Sequence, residues 1–182
     1  MSALYLLLSF CLFLFPLHFS LGAIEQASKL VTIDTLVQYG PQTIASVQER
    51  ANVALYGTTV TGTTQIDGNL TTNNATIHDA TINGNAYFAN TTITGSLSIY
   101  GNLSLQNCQV SGQIYSFGSQ VSLDNTKAQS IYFFTNKGQQ TAILQNSSML
   151  SGPLTFDSGI GIVQLYANSF IGGPITGGQY SR

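Results

Sequence analysis

Between Gly57 and Val110 the chain repeats one short arrangement of polar, apolar and turn residues. Each copy opens with Asn or Gly, continues through two small or polar residues to a branched apolar residue, and ends one spacer later in a turn residue. The copies are Gly57-Thr58-Thr59-Val60-Thr61-Gly62, Asn74-Ala75-Thr76-Ile77-His78-Asp79, Asn90-Thr91-Thr92-Ile93-Thr94-Gly95 and Asn107-Cys108-Gln109-Val110-Ser111-Gly112. Their first residues are 17, 16 and 17 positions apart, and a second set of turn glycines at 68, 84, 101 and 118 keeps a similar period. Two turn positions that share one period predict one coil of a β-solenoid per copy.

Within each copy the apolar and polar residues alternate. The apolar residues Ile93, Leu97 and Ile99 fall on one side of an extended chain, and the polar residues between them fall on the other. Period-two alternation indicates strands with one buried face. A helix is disfavoured because each glycine in its interior would cost about 1 kcal/mol. The pattern therefore predicts an all-β, single-stranded parallel β-helix with coils of about 17 residues.

The series of corner residues continues with longer steps of 18, 21 and 22 residues. The extra residues fall beside 136–138 and 157–159, which predicts coils that lengthen to about 22 residues and carry outward loops. Asn and Gly suit corners with positive φ. We expect these residues to stack as a ladder and to bond side chain to side chain. The predicted ladder is Gly57, Asn74, Asn90, Asn107, Asn125, Asn146 and Asn168.

The N-terminal part of the chain does not follow the repeat. Residues 1–23 contain the apolar run 4–16 and resemble a secretory signal peptide; an uncleaved anchor is the alternative, although the run is short for a membrane span of roughly 20 residues. Residues 24–56 are predicted to form a cap of strand and helix, with Ile44, Val47 and Ala51 at helical spacing. A degenerate first coil is the alternative, because Gly40 lies 17 residues before Gly57. Residues 57–182 are then the parallel β-helix.

Composition and charge narrow the classes of partner. Only 7% of the 182 residues are charged, the net charge is -2, and the five basic residues are scattered, which argues against a nucleic-acid partner. Cys108 is the only cysteine after the signal segment, so no intramolecular disulfide is expected. It occupies a slot that other copies fill with Thr58, Ala75, Thr91, Thr126 and Ser147. We interpret Cys108 as a small turn residue, with an intermolecular disulfide as the alternative.

The recurring apolar-x-Gly-x-apolar pattern resembles that of bactofilins. It occurs at Ile82-Asn83-Gly84-Asn85-Ala86, Ile93-Thr94-Gly95-Ser96-Leu97, Val110-Ser111-Gly112-Gln113-Ile114 and Leu150-Ser151-Gly152-Pro153-Leu154. The resemblance covers roughly residues 57 to 178. It implies a short right-handed β-helix that polymerises end to end into a bacterial scaffold.

The acidic residues do not form a recognisable catalytic set. Polysaccharide-cleaving enzymes need paired carboxylates or a metal-bound cluster with a base nearby. Asp79, next to His78, is the best single candidate, but replacement of Gly by Asp at a turn explains it more simply. We expect no enzymatic activity, no metal and no cofactor.

Aromatic residues gather in the later coils and suggest a surface contact. Tyr132 and Phe134 alternate with Ile131 and Phe133, so one of these pairs should face outward. Tyr132, Phe134, Asn136 and Gln139 are therefore the candidate contacts for a carbohydrate or a surface protein. Ice binding through Thr-rich ranks that begin at Thr58-Thr59 and Thr91-Thr92 is a further alternative, although later coils interrupt the ranks.

These features favour an exported, non-catalytic β-solenoid that acts as a structural or assembly scaffold at a cell surface. Its expected partner is a second copy, which pairs through the C-terminal coil. Membrane contact is expected only through the signal segment. An adhesin-like module that binds a glycan or a receptor is the second hypothesis, and a polysaccharide lyase or hydrolase that uses Asp79 is the third.

Overall fold

A computed structural model of the chain describes residues 36 to 181. This part of the chain contains strands and turns but no helix, and therefore no helix that could cross a membrane. In chain order the strands are β1 (Leu36–Tyr39), β2 (Thr43–Ile44), β3 (Val47–Glu49), β4 (Asn52–Tyr56), β5 (Thr59–Ile66), β6 (Leu70–Asn73), β7 (Thr76–Ile82), β8 (Ala86–Ala89), β9 (Thr92–Ile93), β10 (Leu97–Ile99), β11 (Leu103–Gln106), β12 (Gln109–Ser116), β13 (Gln120–Asp124), β14 (Lys127–Phe133), β15 (Thr141–Gln145), β16 (Met149–Leu150), β17 (Leu154–Phe156), β18 (Gly161–Leu165), β19 (Phe170–Ile171), β20 (Ile175–Thr176) and β21 (Gly178–Tyr180).

The strands form two parallel sheets that run the length of the solenoid. The first sheet has nine strands in the order β1-β4-β6-β8-β11-β13-β15-β18-β21. The second sheet has twelve, because a bend divides the contribution of several coils into two short strands, such as β9 and β10. Each coil adds one layer to both sheets, directly on the previous coil. The predicted β-solenoid is therefore confirmed.

Three kinds of corner separate the faces of a coil. The asparagine corner, which includes Asn90 and Asn107, joins the first sheet to the second. The middle corner bends the second sheet near Gly95 and Gly112, and the glycine corner, which includes Gly101, leads back to the first sheet. The coils stack so closely at these turns that a Cβ on Gly112 would collide with the carbonyl of Gly95 in the coil before it.

The core consists of columns of apolar side chains from successive coils. Leu103, Val121, Ala142 and Val163 pair in register along the first sheet and are at most 2% exposed. The predicted inward set Ile93, Leu97 and Ile99 is 0% exposed, with the middle corner between its first two members. Burial of apolar surface at about 25 cal/mol per Å² drives this stacking.

The first described coil differs from the predicted helix. Residues 40–56 form strands, and Val47, Val53 and Leu55 point into the core, so the helix prediction is wrong and the first-coil alternative fits. The apparent helical spacing arises because a corner lies between β2 and β3 and shifts the phase of the alternation. β1 pairs with β4, and β2 with β5, so the stack already includes Leu36 and does not start at residue 57.

Polar groups face the interior in this first coil. The hydroxyl of Tyr39 donates a hydrogen bond to Oε1 of Glu49 at 2.7 Å. This bond and partial burial raise the pKa of Tyr39. The predicted signal segment, and residues 24–35 of the predicted cap, lie outside the described residues.

The later coils are longer for two reasons. Outward loops follow β14 at residues 134–140 and β17 at residues 157–160, as the sequence predicted. In addition, the asparagine corner gains a residue in the last two coils, where Asn146 and Ser147, and then Ala167 and Asn168, have positive φ. The extra residue shifts the inward slot to Ser148, so the prediction of Ser147 in the Cys108 column is wrong.

Candidate functional site

The predicted corner ladder forms a hydrogen-bonded column over its central part. Asn125 donates through Nδ2 to Oδ1 of Asn107 at 2.8 Å, and Asn107 donates in the same way to Asn90 at 3.3 Å. Asn90 donates to Oδ1 of Asn73 at 3.1 Å, so Asn73 accepts this bond and Asn74 does not. These bonds connect side chains of consecutive coils along one edge of the solenoid.

Toward its two ends the ladder changes partners. Gly57, Asn74 and Asn168 share the positive φ of the column, at 64°, 56° and 61°. Asn146 donates to Oδ1 of Asp124 at 2.7 Å, in the coil before it. The corner conformation therefore extends further along the chain than the side-chain bonds do.

A second row of asparagines, which the predicted corner ladder does not include, lies after the glycine corner. Oδ1 of Asn69 accepts the backbone N–H of Asn85 at 2.8 Å, and Oδ1 of Asn85 accepts that of Asn102 at 2.8 Å. Oδ1 of Asn102 accepts the N–H of Gln120 at 3.2 Å. The signal was present in the sequence, because an asparagine follows each of the turn glycines at 68, 84 and 101.

Of the candidate contact residues, Tyr132 and Phe134 form the outward pair. Both are half-buried, whereas Ile131 and Phe133 are 0% exposed in the core. The ring of Phe133 stacks inside the solenoid on Phe156, with centroids 4.6 Å apart. The sequence left open which pair would face outward, and the register between coils decides it, because Ile131 pairs with the buried Ile114 of the coil before it.

Asn136 and Gln139 occupy the loop between β14 and β15. Nδ2 of Asn136 donates to the carbonyl of Gly118 at 3.0 Å, and its Oδ1 accepts the N–H of Gly138 at 3.0 Å. The amide of Asn136 therefore shapes the loop, and Gln139 is the exposed member of the pair. Beside them, Gln140 is buried and donates to the carbonyl of Phe134 at 2.7 Å.

Tyr132 and Phe134 belong to a cluster of five aromatic side chains, which we call the aromatic patch: Tyr100, Tyr115, Phe117, Tyr132 and Phe134. Phe117 stacks on Tyr100 and on Phe134, with 4.4 Å between centroids and interplanar angles of 5° and 1°. Tyr132 is tilted by 59° against Phe134 at 4.8 Å. In this stack both ring faces of Phe117 are covered, by Tyr100 on one side and by Phe134 on the other.

Asp79 and His78 lie side by side at the middle corner. His78 Nε2 is 3.5 Å from Asp79 Oδ2, and both side chains are about half exposed, at 50% and 47%. Oδ1 of Asp79 accepts the N–H of Ser96 at 2.7 Å, and Nδ1 of His78 is 3.0 Å from Oγ1 of Thr94. The carboxylate therefore supports the next coil at a corner position. Residues 36–181 contain no group of three or more His, Cys, Asp or Glu side chains that could hold a metal ion.

Cys108 belongs to a buried column of small residues just after the asparagine corner. The column contains Thr58, Ala75, Thr91, Cys108, Thr126 and Ser148, all at most 5% exposed. The thiol donates to the carbonyls of Gln106 at 3.2 Å and Phe88 at 3.4 Å. The thiol is therefore enclosed by its own solenoid, which does not favour an intermolecular disulfide.

The exposed threonine rank is displaced by one residue from the predicted one. Thr58 and Thr91 are buried, and the outward row of the second sheet is Thr43, Thr59, Thr76 and Thr92, paired in register. Gln109 and Lys127 occupy the next two positions of this row, so the run of threonines ends there. The predicted Thr58-Thr59 rank is therefore wrong, because its first member faces the core.

Comparison of the chain with protein-family models, with curated proteins and with solved structures gives no match in any of the three.

Proposed function

We propose that this chain is an exported, non-catalytic β-solenoid that acts as a surface scaffold and pairs its last described coil with that of a second copy. The observation that carries the proposal is the exposure of core positions in that coil. Tyr180 continues the column of Ala142 and Val163, yet it is 56% exposed, whereas they are 0% exposed. Ile171 and Ile175 are only partly buried, whereas the residues that precede them in their columns are 0% exposed.

The backbone of the last coil supports pairing as well. Among residues 36–181, β21 ends the first sheet, and β19 and β20 end the two halves of the second. Edge strands present unpaired N–H and C=O groups that readily add another strand. A two-fold-related copy offers the same strand edges and the same apolar side chains, and such an interface closes after two chains.

The non-catalytic part of the proposal rests on how the carboxylates are used. Asp79 accepts a backbone N–H from Ser96, and Asp124 accepts from the amides of Gln145 and Asn146. These two acids lie at different corners of different coils. Such an arrangement supports stacking and does not resemble the paired carboxylates of glycoside hydrolysis.

Adjacent positions of β20 provide a matched test of assembly. Ile175 faces the core and Thr176 faces solvent. We expect sedimentation velocity of the purified chain to show a dimer that dissociates on dilution. Ile175→Asp should be monomeric, because a carboxylate buried at the interface is costly, and Thr176→Asp should behave as wild type. A wild-type monomer at every concentration would refute the proposal.

The aromatic patch favours a second candidate function, a module that binds a surface protein. Tyr100 is 50% exposed, and the patch combines Tyr and Phe in the way that protein interfaces do. Because its ring faces are largely stacked on one another, edge and hydroxyl contacts suit a protein better than a sugar face. We expect labelled chain to bind cells, and the binding to fall after protease treatment of the cells and with Tyr132→Ala. The control is Tyr56→Ala, because Tyr56 is a half-exposed tyrosine away from the patch. If binding persists after protease treatment of the cells and also with Tyr132→Ala, this candidate function is wrong.

A further inference from the structure

We propose that the outer face of the first sheet binds a neutral polysaccharide chain, in a groove between the ring of Tyr87 and the row of asparagine amides at 69, 85 and 102. We call it the Tyr87 groove. It has a volume of about 380 Å³ and lies along the stacking direction of the coils. Its lining is Asn69, Leu70, Thr71, Asn85, Ala86, Tyr87, Asn102, Leu103, Ser104, Gln120 and Ser122. The inference is independent of self-assembly, because the groove lies several coils away from β19–β21.

One wall of the groove is aromatic. Tyr87 is 42% exposed on the outer face of β8, and its hydroxyl donates to Oε1 of Gln106 at 2.6 Å. Gln106 lies one coil further on and two residues past Ser104, so this bond fixes the ring on the side of the asparagine corner. The groove therefore has a fixed apolar surface in an otherwise polar part of the sheet.

The opposite wall is a row of amides with a common orientation. In Asn69, Asn85 and Asn102, Oδ1 accepts a backbone N–H from the next coil, which fixes how each amide is turned. Their Nδ2 groups make no hydrogen bond within residues 36–181. The row thus offers N–H donors that repeat at the strand spacing of about 4.8 Å.

The floor is narrow and carries hydroxyl groups. Tyr87, Ser104, Ser122 and Ile143 follow one another in register on the outer face, so two small side chains lie between two large ones. Both serines are half-buried, and their hydroxyls make no hydrogen bond within the described part of the chain. They add donors and acceptors at the bottom of the groove.

This combination matches the chemistry of a pyranose chain. A sugar ring has an apolar C–H face that packs on an aromatic ring, and hydroxyls at its edge that bond to amides and to serine. Because the amide donors repeat along the solenoid, the groove suits a polymer better than a single sugar. None of the lining residues is charged, so a carboxylated or sulfated chain would lose hydration without gaining an opposite charge.

Affinity electrophoresis and calorimetry with soluble polysaccharides test the proposal. The neutral probes are a β-glucan, a mannan and a galactan, and polygalacturonate is the acidic probe. We expect the wild-type chain to bind at least one neutral polymer and not polygalacturonate. Tyr87→Ala should weaken binding at least tenfold, and Ser104→Leu, which fills the floor, should abolish it.

Two further variants separate the wall chemistry from folding. Asn85→Asp keeps an oxygen for the N–H of Asn102 but replaces the Nδ2 donor, so the fold should persist while affinity falls several-fold. Tyr166→Ala removes a tyrosine that is 53% exposed outside the groove, and it should bind as wild type. Thermal melts establish that each variant is folded. The proposal is overturned if wild type binds no neutral polymer, if only polygalacturonate binds, or if folded Tyr87→Ala and Ser104→Leu retain full affinity.

Discussion

Asn107 and Asn90, one coil apart, are joined by a hydrogen bond from Nδ2 of Asn107 to Oδ1 of Asn90, at 3.3 Å. Both residues have left-handed backbone conformations, with φ of 53° and 48°. Asparagine thus has two roles at this corner, because it tolerates positive φ and also connects neighbouring coils. The two contributions differ in size, and substitution can separate them.

We expect Asn107→Ala to lower the free energy of unfolding by about 1–2 kcal/mol, because alanine lacks the short polar side chain whose local hydrogen bonds let asparagine tolerate this left-handed conformation. Asn107→Gly should cost less, because glycine adopts positive φ freely and Gly57 already occupies the same column. Urea denaturation measures both. Equal losses for the two variants would show that the amide bonds, and not backbone conformation, account for the choice of asparagine.

Close stacking at the glycine corner leads to a second prediction. A Cβ on Gly118 would collide with the carbonyl oxygen of Gly101, whereas a Cβ on Gly138, in an outward loop, meets nothing closer than 3.9 Å. Gly118→Ala should therefore destabilise the chain by about 1–3 kcal/mol through overpacking. Gly138→Ala should be neutral or stabilising by about 0.4–1 kcal/mol, since it restricts the unfolded chain. Similar melting temperatures for the two variants would contradict the close approach of the coils.

Neighbouring aromatic residues on opposite faces of one coil allow a third prediction. Phe133 is fully buried and stacks on Phe156, so Phe133→Ala should cost about 3–5 kcal/mol. Phe134 is half-buried, and Phe134→Ala should cost about 1–2 kcal/mol through lost contacts with Phe117 and Tyr132, since such ring pairs contribute about 0.5–1.5 kcal/mol each. Chemical denaturation of the two variants measures the difference. A larger loss for Phe134→Ala would mean that the outward and inward faces have been exchanged.

The coil period and the corner positions were predictable because a turn with positive φ restricts residue type strongly. Asn90, Asn107 and Asn125 therefore kept their spacing in the sequence and lie in one column. The side-chain phase just after a corner was harder to predict. The left-handed asparagine at the corner interrupts the alternation, so the strand before the corner does not tell which of the next two residues faces the core. In the structure Thr91 faces the core and Thr92 faces solvent.

The groove shows a different limit of sequence reasoning. The asparagines at 69, 85 and 102 were visible as a periodic set, but their common orientation depends on which backbone N–H each Oδ1 accepts. Tyr87 gave no signal, because its partner Gln106 lies 19 residues away and is brought near only by the stacking of coils. Sites composed of one residue from each of several coils thus require the register between coils.

Burial of Cys108 leads to a pH-dependent prediction. Desolvation by burial raises the pKa of its thiol, and backbone hydrogen bonds with Thr91 and Gln106 offset only part of this rise. The pKa of the thiol is therefore higher in the folded state than in the unfolded state. Its contribution to stability is fully present below the ordinary thiol pKa of about 8.5, and it is lost as the pH rises through the folded-state pKa. Urea midpoints of wild type should therefore fall more steeply toward alkaline pH than those of Cys108→Ser, whose hydroxyl can make the same bonds. The pKa of Tyr39 is also raised, so Tyr39→Phe separates its contribution, which has the same sign. An identical alkaline loss in wild type and Cys108→Ser would show that the buried thiol does not contribute to it.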